Sequence, residues 1–174
     1  GVAQLASCRS LRELSLSETR VTAAGVGALS RLPELQRLYL AGTSIGQGGV
    51  RQAASCEELT HLSLQGVQLA DDDLALLKRL PRLEWLDLSG TPLTDAAAVH
   101  LQQLAGLRQL NVAETSLSDA GLEELQAALA KCRVSGDPPD PQRLAARWLV
   151  QNKATVTLAS GPLMKPESLP RDAC

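Results

Sequence analysis

Hydrophobic positions along this chain follow two periods in alternation. The segments LRELSLSET (11–19), LQRLYLAGT (35–43), LTHLSLQGV (59–67), LEWLDLSGT (83–91) and LRQLNVAET (107–115) align without gaps, their starts 24 residues apart four times in succession. Within each, L-x-x-L-x-L places apolar residues at the fourth and sixth positions and polar ones between. That is the period of a strand with one buried face. An apolar residue follows at the eleventh position: Val21, Ile45, Leu69, Leu93 and Leu117. The spacing then changes to three, as in Val26, Leu29 and Leu32, or Leu74, Leu77 and Leu80, and predicts the inner stripe of a short helix. Thr94 and Ser118, each followed by Asp, predict helix N-caps with an acid in the first turn. Each unit thus reads strand, turn, helix, return. One unit cannot bury its leucines alone, whereas stacked neighbours share a continuous core.

The pattern L-x-x-L-x-L-x-x-T-x-L-[TS]-D-A-G-L, recurring in register over residues 1–134, resembles the leucine-rich repeat family. Its 24-residue period resembles the intracellular, cysteine-containing subclass seen in F-box substrate adaptors. The resemblance implies an α/β fold: a right-handed solenoid with a concave parallel β-sheet and convex helices. It also implies a role in protein interaction. The ninth position departs from the family's usual Asn or Cys, reading Thr19, Thr43, Val67, Thr91 and Thr115. A threonine hydroxyl there is expected to bond neighbouring backbone at the turn as a ladder, with Val67 as a weak rung.

The two ends are less regular. Residues 1–10 align with 25–34, setting Leu5 on Leu29 and Cys8 on Leu32. The chain is therefore expected to open part-way through a repeat, as a fragment of a longer polypeptide, or else to use residues 1–10 as a helical cap. Leu129, Cys132 and Val134 repeat the strand spacing only 22 residues after Leu107, predicting a sixth strand at 129–134 after five repeats at 11–130. The breaker GDPPDP (136–141) follows. Asp140 and Pro141 then open a predicted helix, in which Trp148, Leu144 and Leu149 seal an atypical capping unit at 135–160 with the strand-like ATVTLAS (154–160). Three prolines mark 161–174 as a flexible tail.

Composition narrows the function. Thirty-four leucines stand against no Phe, one Tyr and two Trp in 174 residues, which fits one packing environment repeated many times. A net charge of −2 argues against a general polyanion binder, and Arg12, Arg37 and Arg108 are interleaved with Glu13, Glu84 and Asp87, so nucleic acid is not an expected partner. No apolar run approaches the length of a membrane span. The four cysteines form no C-x-x-C pair, and two histidines are too few to complete a zinc site; a reduced intracellular compartment, cytoplasm or nucleus, is expected. Cys8 and Cys56 fall in the column of Leu32, Leu80 and Leu104 and are expected to be buried. Cys132 is expected at a core strand position. Asp71, Asp72 and Asp73 read as acids at a helix N-terminus rather than a cation site, and His100 as a boundary residue. No nucleophile, phosphate or metalloprotease motif is present, so neither enzymatic activity nor a cofactor or metal is expected.

If the fourth and sixth strand positions face the core, the third and fifth face the other side. The third column reads Glu13, Arg37, His61, Trp85 and Gln109. The fifth reads Ser15, Tyr39, Ser63, Asp87 and Asn111. Two of the chain's three aromatic residues, Tyr39 and Trp85, fall here with His61 between them. Two strand spacings of about 4.8 Å put them roughly 10 Å apart. Aromatic and arginine side chains dominate binding hot spots. The expected function is a non-enzymatic module that binds a protein or peptide through Glu13, Arg37, Tyr39, His61, Trp85, Asp87, Gln109 and Asn111, within a larger scaffold or adaptor. The alternatives are the substrate-recognition region of a ubiquitin-ligase adaptor and a regulatory domain of a larger enzyme or receptor.

Overall fold

The computed structural model describes residues 2–136. Six three-residue strands, β1 (Glu13–Ser15), β2 (Arg37–Tyr39), β3 (His61–Ser63), β4 (Trp85–Asp87), β5 (Gln109–Asn111) and β6 (Arg133–Ser135), form one parallel sheet in chain order. The register advances by one repeat at each step: Leu14, Leu38, Leu62, Leu86, Leu110 and Val134 stand opposite one another. Parallel neighbours require a crossover, and the remainder of each repeat supplies it. The pairing also outlasts the strands. Backbone N–H groups of Glu18, Gly42, Gly66 and Gly90 reach the carbonyls of Ala41, Gln65, Ser89 and Ala113 at 2.8–2.9 Å.

The core is a single continuous spine. Leu38, Leu62 and Leu86 at the fourth position, and Leu40, Leu64 and Leu88 at the sixth, are fully buried. They meet Val26, Leu29, Val50, Leu74, Leu77 and Leu101 from the crossovers. The crossovers differ among themselves. They contain α1 (Ala23–Gly27), continued by a 3₁₀ turn at Ala28–Arg31; α2 (Gly46–Ala53); a 3₁₀ helix at Asp71–Arg79; a 3₁₀ turn at Asp95–Ala97 leading into α3 (Ala98–Leu101); and α4 (Asp119–Ala128). The spacing of three in Leu74, Leu77 and Leu80 suits three residues per turn, and this segment is 3₁₀ rather than α.

The turn after each strand is set by the eighth position. Glu18, Gly42, Gly66, Gly90 and Glu114 all adopt φ between 57° and 67°, a region that glycine enters without penalty and glutamate does not. The ninth position then closes the turn. The hydroxyls of Thr19, Thr43, Thr91 and Thr115 donate to the carbonyls of Leu16, Leu40, Leu88 and Val112, each three residues back. The expected bonds to neighbouring backbone at the turn are thus present, each within its own coil and repeated from coil to coil. Val67 lacks the hydroxyl, but its side chain is fully buried and its N–H keeps the turn bond to Leu64.

The predicted N-caps are present: Thr94 Oγ1 accepts from Ala96 N at 3.3 Å and Ser118 Oγ from Gly121 N at 3.1 Å. Each is also gripped by the preceding coil. Asp71 accepts from the N–H and hydroxyl of Thr94 at 2.9 and 2.7 Å, and Asp95 from those of Ser118 at 2.8 and 2.7 Å. The cap hydroxyl therefore donates backward and accepts forward, tying two crossovers together.

Three expectations need correction. The sixth strand is Arg133–Ser135, not 129–134, because α4 runs longer than the helices before it. Leu129 takes the place of Leu104, one residue late, and Cys132 donates to Leu129 O as Leu107 donates to Leu104 O. Only Arg133 then separates Cys132 from Val134, where two residues separate Leu107 from Leu110, so the sheet recovers its register. Cys132 is accordingly a half-buried turn residue ahead of the strand, and burial raises its thiol pKa. Cys8 is exposed, although it repeats the turn bond of Leu32 by donating to Leu5 O at 2.9 Å. Among the described residues, the coil holding it, with a 3₁₀ helix at Val2–Ser7, has a neighbour on one side only. Cys56, in the same column but between two coils, is buried, and desolvation pushes its thiol up to about 11. The remainder of the capping unit, with Leu144, Trp148 and Leu149, and the tail at 161–174 lie outside the described residues.

Candidate functional site

The third- and fifth-position side chains lie on the face of the sheet turned away from the spine. β-sheet pleating places them there, because their strand neighbours at the fourth position point into the leucine core. The register sets Glu13, Arg37, His61, Trp85 and Gln109 in one row and Ser15, Tyr39, Ser63, Asp87 and Asn111 in the next.

Three of these side chains form a contact cluster. The Tyr39 and Trp85 ring centroids are 6.4 Å apart at an interplanar angle of 65°, an edge-to-face pair. His61 stacks on Trp85, with centroids 5.9 Å apart and planes 26° from parallel. The separation of Tyr39 and Trp85 is shorter than the strand count implies because the rings incline toward each other. Between β2 and β4 only Ser63 occupies the fifth position, and this small outward residue is 5% exposed. The rings thus meet above β3. All three remain half-buried rather than sunk in the spine. His61 is further held by its Nδ1, 2.8 Å from Thr60 Oγ1.

The neighbouring polar residues divide into two kinds. Arg37 Nη1 bonds Glu13 Oε2 at 2.8 Å, pairing the cation of this patch with a carboxylate one strand away. Asp87 Oδ1 accepts from Ser89 N at 3.0 Å and Ser89 Oγ at 2.7 Å, and Asn111 Oδ1 accepts from Ala113 N at 3.2 Å. These last two residues therefore hold the turn that leaves their own strand, a role the residue columns did not reveal. An Asx residue two positions before a backbone N–H is the signal that would have found it. Gln109 is exposed, between Trp85 and Arg133 in its row.

Other candidates resolve into structural partners. Arg12 and Arg108 pair with Glu34 and Glu84. Asp71 grips Thr94. Asp72 Oδ1 lies 3.3 Å from His100 Nε2, and Asp73 accepts from Ala70 N and Gln47 Nε2 at 2.9 and 2.6 Å. Among the described residues no group of three His, Cys, Asp or Glu side chains is arranged to hold a metal ion, and no helix is long and apolar enough to cross a membrane.

A "Leucine Rich repeat" family model matches residues 7–30. A comparison with curated proteins found no match. Among solved structures the chain is similar to internalin C2 of Listeria monocytogenes, at 26% identity and a TM-score of 0.60, over 79% of this chain and 56% of that one. It is also similar to a leucine-rich-repeat protein of Leptospira interrogans, at 25% identity and a TM-score of 0.58, over 76% and 33%. The fold is a leucine-rich-repeat solenoid. The C-terminal domain of Caenorhabditis elegans tropomodulin, at 14% identity and a TM-score of 0.59 over 86% of this chain and 96% of that one, shares the fold. The solenoid spans about half the length of the internalin and a third of the Leptospira protein. These likenesses support a place in the leucine-rich repeat family.

Proposed function

We propose that this solenoid is a non-enzymatic interaction module that docks a protein or peptide on the concave face, centred on Tyr39, His61 and Trp85. The observation that carries this reading is the aromatic cluster. A core made of aliphatic side chains leaves its two described large aromatics outside, touching each other, on the face where no crossover covers them. Such rings supply contact area with little conformational freedom to lose on binding. Arg37, Glu13, Asp87, Gln109 and Asn111 form the polar rim. Leucine-rich-repeat folds commonly serve as protein-interaction modules, and stacked coils provide a long surface for it. The described cysteines are all free thiols, which supports a scaffold or adaptor in the cytoplasm or nucleus.

Affinity capture with the full chain tests the reading. A Tyr39→Ala/Trp85→Ala variant retains its circular dichroism spectrum and loses specifically captured partners. Retention of the same partners by a folded variant overturns the proposal.

A further inference from the structure

We infer that the occupant of the aromatic cluster presents a cationic side chain, an arginine or lysine, to the space bounded by Trp85, Tyr39 and Asp87. This rests on the concave-face reading and deepens it. Trp85 and Asp87 are two residues apart on β4 and so lie side by side on the outward face. Tyr39 reaches Trp85 from the other side of β3. The face of an indole or phenol ring is the negative end of its quadrupole and attracts a cation. Both bonds that Asp87 makes within its turn fall on Oδ1, leaving Oδ2 to accept from a guanidinium or ammonium group.

The charges around this space point the same way. Arg37, the nearest cation in the rows, is committed to Glu13 at 2.8 Å. The next, Arg133, stands on β6, two strands beyond Trp85 and so about 10 Å away. His61 covers one side of Trp85 with its ring; apart from that imidazole, the patch offers a carboxylate and two ring systems with no unpaired cation beside them. An acidic or phosphorylated segment meets the same carboxylate with repulsion.

Asp87→Asn separates this role from the turn. The amide keeps an oxygen for the Ser89 N–H, as Asn111 shows by accepting from Ala113 N in the next coil, but it removes the charge. A random peptide library displayed on phage, selected on the full wild-type chain, is the probe. Selected peptides are enriched in arginine and lysine. Synthesised, they bind Asp87→Asn roughly five- to tenfold more weakly, as expected when a charge-assisted bond becomes a neutral one, and they weaken as salt rises. Peptides that lose affinity for the Tyr39→Ala/Trp85→Ala variant but carry no basic enrichment, or bind Asp87→Asn equally well, end the cation assignment and leave the concave site standing. Peptides indifferent to the aromatic variant, or no selected peptide at all, overturn both.

Discussion

The two sides of the coil obey different rules. Along the sheet, every repeat is the same: three residues, parallel pairing, one register, and a left-handed residue at the eighth position. Along the crossovers, no two described coils agree, running from a five-residue α-helix with a 3₁₀ extension to a nine-residue 3₁₀ helix and a ten-residue α-helix. The difference lies in where the backbone bonds go. Strand groups bond the next coil, so each strand constrains its neighbour. Helical groups bond within their own coil, and only side chains must meet across the gap. The chain uses this tolerance itself: the late return of Leu129 shifts the helical side by a residue while Val134 still faces Leu110.

Four tests, with six variants between them, break or sharpen that contrast. The largest effect comes from inserting one alanine between Leu62 and Ser63. A single step exchanges the faces of everything that follows in the strand, and the loss should exceed about 3 kcal/mol. The same insertion between Lys78 and Arg79 should cost about 1–2 kcal/mol less. Urea unfolding of both variants checks the ordering. Next is Cys56, buried where the crossover returns to the sheet. Its folded value of about 11 lies above the ordinary 9.0. The folded state therefore holds that proton more tightly than the unfolded chain. Stability is complete below about pH 9 and is lost as pH rises toward 11, by at most about 2–3 kcal/mol at 1.36 kcal/mol per unit. Cys56→Ala should flatten that part of the profile, and an unchanged slope would refute it.

Removing the clasp between crossovers has a smaller effect. Asp95→Ala takes away two bonds to Ser118 at an exposed site and should lower stability by about 1 kcal/mol, read by thermal melting. The smallest change tests the turn alone. Nothing lies within 4 Å of a Cβ built on Gly66, so Gly66→Ala isolates the backbone cost of its positive φ, about 1 kcal/mol. Glu18→Gly should move stability the other way by a comparable or smaller amount. Equal signs for the two substitutions would contradict this account of the eighth position.

The sheet was legible from the chain because the quantity that sets it, the leucine period, is written in every repeat. Cys56 and the caps Thr94 and Ser118 were readable for the same reason: each occupies a column whose other members reveal the environment. What escaped depends on relations that no single repeat contains. Asp71 and Asp95 read as first-turn acids, and that they reach Thr94 and Ser118 requires two coils in place. The exposure of Cys8 depends on which neighbours its coil has, not on its column. The sixth strand was misplaced because Leu129 and Cys132 mimic strand spacing while serving the helix return. The candidate site residues were legible as positions on the outward face, but their contacts were not: the meeting of Tyr39 and Trp85 depends on the small Ser63 between them, and Asp87 and Asn111 turned out to bond their own turns.

The fixed step between coils makes length an adjustable parameter of this architecture. Removing residues 59–82 would bring Leu38 opposite Leu86 with nothing else in the register to change, since Leu62 is equivalent to both. Such an excision would set Tyr39 and Trp85 on adjacent strands and eliminate His61. Unequal exchange between gene segments can therefore lengthen, shorten or recombine the array without inventing a new core. It rewrites the outward face each time it does so, which gives this class of protein an inexpensive path to new recognition.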